Sequence, residues 1–140
     1  YLSVHEGWPV LHYGETESLA LRRMAERQGV AEHKLMLLRA RLVDVHARVR
    51  SHWRLPINSY GLKAVAAWQG FRWSQTGVDG AHALLWWRQW QGDGPTRRGS
   101  ANALGWIFTY NRDDCRATWA VADWLLRQTP CSSQSGDGGS

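Results

Sequence analysis

The sequence predicts an α/β chain that is mainly helical, with one strand near its start. Three observations predict it. Apolar residues recur at spacings of three and four through most of the 140 residues, the mark of helices with one inward face. Trp8-Pro9-Val10-Leu11-His12-Tyr13 is instead short, apolar and β-favouring, and it ends at Gly14, as a buried strand entering a tight turn does. No apolar run approaches the ~18 residues that a membrane-spanning helix needs, so no membrane partner is expected. A hydrophobic content of 44% suffices for a core.

Taken in order, the elements follow from local signals. After the strand a helix is expected from about Thr16 to Gln28, with Thr16 as cap and Gly29 as stop. Its inward stripe is Leu21, Met24 and Ala25, and Glu17 joins that stripe one turn before Leu21. Residues 32–53 read as one or two helices with Leu42, Val45 and Val49 as an apolar seam, and Asp44 can pair with Arg48 on the solvent side. Leu55-Pro56-Ile57-Asn58 is a loop. Asn58 or Ser59 then caps a short helix to Gln69 with Leu62, Val65 and Ala66 inward and Lys63 pointing away. Phe71-Arg72-Trp73 is an extended link, followed by a helix from about Val78 to Gln91 with Gly92 as stop. Residues 92–100 form a loop carrying Arg97 and Arg98. The final helix covers about Ser100 to Gln128, and the polar stretch 129–140 is expected to be a disordered tail. Residues 1–128 therefore read as one domain or a large part of one. The chain starts at Tyr1, in what reads as the middle of a fold, and is expected to be the C-terminal part of a longer protein.

The final helix holds the stretch with the most chemistry. Ile107, Tyr110, Asp114, Ala117, Val121 and Leu125 share one face. Asp114 is the one acid on it and is expected to point inward, while Asp113 points aside, within reach of Arg116. A buried carboxylate must be paired, protonated or bound to a metal. Glu17 is a second acid at the head of an apolar face, where the helix dipole by itself favours negative charge.

The charge balance is basic, +5 formally with a pI near 9.8, carried by 15 Arg and 2 Lys. Arg suits planar, bidentate contacts to phosphate, although GC-rich codon usage produces the same bias. Cys115 and Cys131 make no disulfide framework, so a reduced, cytoplasmic setting is expected. The six histidines lack zinc spacing, and no Gly-rich phosphate loop is present. Most of the ten Trp lie in helical segments, where core filling is expected ahead of base stacking.

Three blocks occur in order: His12-Tyr13-Gly14-Glu15-Thr16-Glu17, then Leu55-Pro56-Ile57-Asn58-Ser59-Tyr60-Gly61-Leu62-Lys63, then Tyr110-Asn111-Arg112-Asp113-Asp114-Cys115-Arg116-Ala117-Thr118. With Gly70-Phe71-Arg72-Trp73 between the last two, residues 8–127 resemble the YprB-type ribonuclease-H-like domain found at the C-terminus of RecB-like nucleases, a relative of the DEDD exonucleases. The resemblance implies the C-terminal part of a ribonuclease-H-like α/β fold and a metal-dependent nuclease, a 3′–5′ exonuclease on single-stranded DNA or RNA. It implies two Mg²⁺ or Mn²⁺ ions, and a RecB-like nuclease or helicase domain in the same longer chain. It would make Asp114 a metal ligand, Glu17 an indirect or second-metal ligand, and Tyr110 the group orienting the attacking water. Ser59 to Lys63 would lie by the substrate path, with Arg97 and Arg98 as further phosphate contacts. The first DEDD motif, D-x-E, does not occur in these residues, so the stretch alone is expected to be inactive. The rival readings are a non-catalytic nucleic-acid-binding or interaction module on the same scaffold, and a purely structural helical domain.

Overall fold

The computed structural model describes residues 7–92 and 100–128. Eight elements follow one another: β1 (Val10–His12), α1 (Thr16–Arg27), α2 (Glu32–Ala40), β2 (Leu42–Asp44), α3 (Val45–His52), α4 (Leu62–Trp68), α5 (Gly80–Gln91) and α6 (Ser100–Gln128). The architecture is mostly helical around a short two-stranded parallel sheet, which is compatible with an α/β fold. Arg97, Arg98, Cys131 and the tail 129–140 lie outside the described residues.

The expected strand exists as β1, and it has a partner the sequence reading assigned to helix. Leu42–Asp44 is a strand that pairs Val10 with Leu42, Leu11 with Val43 and His12 with Asp44. Parallel neighbours need a crossover of a dozen or more residues, and α1 and α2 supply it. A three-residue apolar strand running directly into a helix keeps its seam in phase with that helix, which is why Leu42, Val45 and Val49 read as one helical face.

Asp44 is the joint of this region. It caps α3 by accepting from Ala47 N (3.1 Å) and also accepts from Gly14 N (3.1 Å), tying the end of β2 to the turn after β1. It does not pair with Arg48. That turn needs Gly14, whose φ is +95°, and the His12 ring nitrogen Nδ1 bonds the Gly14 carbonyl at 2.7 Å. Burial alone would push the Asp44 carboxyl up, but the two backbone N–H groups and the nearby His12 and His46 bring it below its ordinary value.

The core is small-sided. Val45 and Val49 from α3, Val65 and Ala66 from α4, and Ala117, Val121 and Ala122 from α6 form one buried cluster. Tyr13, Leu55, Ile57, Tyr60 and Phe71 close its margin. The inward stripes expected on α4 and α6 are therefore observed. On α1 only Ala25 is buried, and Met24 is 55% exposed, because α1 packs chiefly against α2 rather than over the core. The tryptophans also depart from expectation. Trp8, Trp68, Trp87, Trp90, Trp106 and Trp119 are exposed. A core built of Val and Ala has no room for indoles, which meet one another instead, Trp68 edge-on to Trp124 (5.6 Å) and Trp86 tilted against Trp106 (5.6 Å). No helix among the described residues is long and apolar enough to cross a membrane.

Candidate active-site cleft

Where α4, α5 and α6 meet, Gly61, Leu62, Lys63, Asp79, Gly80, Tyr110 and Asp114 line a cleft of about 320 Å³. Each element delivers its residues for a local reason. Gly61 is the cap of α4, held by its N–H donating to Ser59 Oγ (3.2 Å), so Leu62 and Lys63 fall in the first helical turn. Asp79 is the N-cap of α5, accepting from Ala81 N (2.9 Å) and His82 N (3.1 Å) and bonding the His82 ring (2.9 Å). Those contacts, the His82 ring first, hold its carboxyl below the usual range. Tyr110 and Asp114 stand one turn apart on α6 and so face the same way.

Asp114 is half-buried and accepts from Trp73 Nε1 at 2.8 Å. The Tyr110 hydroxyl lies within the electrostatic reach of that carboxylate. Burial first, then the charge of Asp114, pushes the Tyr110 phenol above its ordinary value of 10, so it is protonated at neutral pH and acts as a donor. The Lys63 ammonium lies 5.4 Å above the Tyr110 ring and donates to the Val78 carbonyl. A cation, a phenol and two carboxylates thus share one recess, an arrangement able to grip a charged, hydrogen-bonding ligand.

The two adjacent acids of α6 differ from expectation in one respect. Asp113, not Asp114, is the more buried, at 4% exposure. Its Oδ2 accepts from both the backbone N–H (2.9 Å) and the hydroxyl of Ser74, and Arg112 lies at 3.3 Å. Arg116 is not its partner. The loop 71–79 crosses α6 at this point and contacts both acids, so burial extends beyond the helical face that the apolar stripe marks. Asp113 fastens the loop; Asp114 faces the cleft.

Of the residues picked from sequence, Lys63, Tyr110 and Asp114 come together here. Ser59 stands beside them through Gly61. Glu17 is exposed in the first turn of α1 and does not line the cleft. Asp79 was missed. Its Asp-Gly pair ahead of an apolar helical run marks a helix start, but nothing in the sequence tells that this start abuts the middle of α6. Among the described residues no three His, Cys, Asp or Glu side chains converge as a metal site.

A family model of the RNase H superfamily matches residues 8–126, from the residues just before β1 almost to the end of α6. The chain belongs to the RNase H superfamily. Membership points to nuclease-type function in general, and the matched span includes every residue of the cleft. Neither a curated protein nor a solved structure matches this RNase H superfamily chain.

Proposed function

We propose that this RNase H superfamily domain is part of a YprB-type, DEDD-like metal-dependent nuclease, a 3′–5′ exonuclease on single-stranded DNA or RNA, working beside a RecB-like nuclease or helicase domain. The observation that carries the reading is the Tyr110–Asp114 pair, one helical turn apart and lining one cleft with Lys63. It is the geometry the Y-x-x-x-D resemblance implies.

Phosphodiester hydrolysis needs an activated water in line with the leaving oxygen and positive charge placed beside the negatively charged phosphoryl oxygens. In the DEDD scheme, Mg²⁺ or Mn²⁺ ions held by several carboxylates would supply both. The described residues do not fit two ions on their own: Asp79 and Asp114 line the cleft, Asp79 is already engaged as a helix cap, and Glu17 lies elsewhere. On the resemblance the further acids belong to a D-x-E strand. The chain's own groups have definable parts. Tyr110 keeps its proton and faces the same cleft as Asp114, whose carboxylate is held by Trp73. Lys63 offers a point charge to a phosphate entering beside Gly61. Neither group reads base identity.

The test is Mg²⁺- or Mn²⁺-dependent degradation of end-labelled single-stranded DNA and RNA by the complete protein, beside Asp114→Asn. Metal-dependent cleavage that the variant loses supports the reading. Absence of cleavage by a folded complete protein favours the non-catalytic binder, a reading to which the Trp73 hydrogen bond on Asp114 lends weight.

A further inference from the structure

A second recess, of about 330 Å³, is lined by Arg50, Ser51, His52, Trp53, Arg54 and Tyr60. It has a cationic rim and a rigid floor. Tyr60 Oη accepts from Leu55 N (2.9 Å) and donates to the Trp53 carbonyl (3.4 Å), while Tyr13 Oη donates to the Tyr60 carbonyl (2.6 Å). Residues 53–60 are thereby closed into a loop anchored to the strand end. Trp53 is itself packed on Trp124 at 5.0 Å. The aromatic groups of the recess are committed to the fold, which leaves its cations for a ligand.

Arg50 and Arg54 are exposed, and among the described residues neither guanidinium has a hydrogen bond or an ion pair. The bland explanation covers part of this: Arg50 and His52 sit in the last turn of α3, where positive charge complements the helix dipole. It does not cover Arg54, beyond the helix on the extended segment, or the convergence of both guanidinia on one concavity. The recess and the cleft are lined by neighbouring residues of the chain. Tyr60 lines one and Gly61 the other, and consecutive residues are about 3.8 Å apart.

We propose that Arg50 and Arg54 form a phosphate-binding subsite that holds a backbone phosphodiester of the same single strand whose end enters the cleft. The inference rests on the nucleic-acid ligand of the reading above but not on cleavage. Two permanently charged planar forks over a fixed floor recognise phosphate oxygens without contacting bases, so the subsite is indifferent to sequence.

The experiment measures affinity of the complete protein for a fluorescein-labelled oligothymidylate by anisotropy, in EDTA, across a salt series. Arg50→Gln/Arg54→Gln is expected to weaken binding at least tenfold at low salt. It should also flatten the plot of log K against log salt by about 1.4, two phosphate contacts at about 0.7 each on a single strand. Arg50→Lys/Arg54→Lys, which keeps both charges, should retain the salt slope, and that variant also guards against a folding defect in the first. An unchanged slope in the Gln variant, or no binding by the parent, overturns the proposal. So does displacement of the oligonucleotide by millimolar inorganic phosphate, which would make the recess a site for the free ion. The same oligonucleotide with Mn²⁺ separates the two readings: cleavage with an unchanged slope sinks the subsite alone, and a flattened slope without cleavage sinks the nuclease alone.

Discussion

Asp113 and Asp114 share a helix and a net charge, and their neighbours give them different uses. Asp113 receives two hydrogen bonds from Ser74 on a single oxygen. Asp113→Ala leaves those donors without a protein partner, at a cost of about 1–3 kcal/mol, and thermal denaturation should register it. The Ser74 hydroxyl, against the opposing effect of burial, and then the Ser74 N–H and Arg112 hold the Asp113 carboxyl below 3.8. Its folded pKa is therefore depressed, so the stabilisation is present above pH ~4 and disappears as pH falls through the lower folded value. Asp113→Asn should flatten the acid limb of the stability curve; an acid limb identical to the parent's would contradict this. On the proposed nuclease reading, Tyr110→Phe removes the phenol hydroxyl beside Asp114 and should lower cleavage by roughly 10–100-fold, in the range of lost outer-shell contacts, with little change in melting temperature. Tyr110 and Asp114 were legible in the sequence because a spacing of four on an α-helix is a contact. The loop that buries Asp113 was not, because which loop crosses α6 depends on tertiary packing.

Among the elements, the parallel pair of β1 and β2 is the part that local signals conceal. A three-residue strand has too few alternations to be told from helix, and Asp44, read as a surface acid, proves to be both the cap of α3 and the clasp on Gly14. The same corner yields a pH-dependent prediction. Burial, then the Asp44 charge, pushes the Tyr13 phenol up to about 12, while its hydroxyl donates to Tyr60. The raised folded pKa means that this contribution is intact below pH ~10, the unfolded value, and is lost as pH rises towards 12. Tyr13→Phe should cost about 0.5–1.5 kcal/mol near neutral pH and remove the steepest part of the alkaline loss. Denaturant titrations at pH 8, 10 and 11.5 would decide, and an alkaline limb equally steep in the variant would be the refuting result. The helix ends, by contrast, follow their glycine stops, since Gly29, Gly70 and Gly92 all adopt the positive φ that ends a helix, whereas the expected N-caps do not hold: Glu15, not Thr16, precedes α1, and Gly61, not Asn58 or Ser59, precedes α4.

Over the whole molecule, stability and surface character divide cleanly between residue types. The fully buried positions belong to Val and Ala, while most indoles are exposed. Val121→Ala should therefore cost about 2 kcal/mol, two methyl equivalents plus a small cavity. Trp119→Ala, on a side chain 62% exposed, should stay within about 0.5 kcal/mol of the parent. Paired urea titrations test this, and a larger effect at Trp119 than at Val121 would reverse the assignment of the core. Composition could not disclose the division, because Trp count predicts burial only on average. The class of fold and the cleft helix were legible; the convergence of Asp79, Lys63 and Asp114 required three elements to be set in space.

One contact has an optical consequence. The Trp73 indole donates directly to Asp114, so the chromophore and the carboxylate share a proton bridge. Any change in the charge on that carboxylate, by protonation or by arrival of a cation, alters the field across the indole ring and with it the wavelength and yield of emission. Comparing the parent with Trp73→Phe would isolate that signal from the other nine indoles. The molecule thus carries its own fluorophore wired to the group on which its chemistry is proposed to turn, and occupancy of the cleft can be followed by light without any assay of turnover.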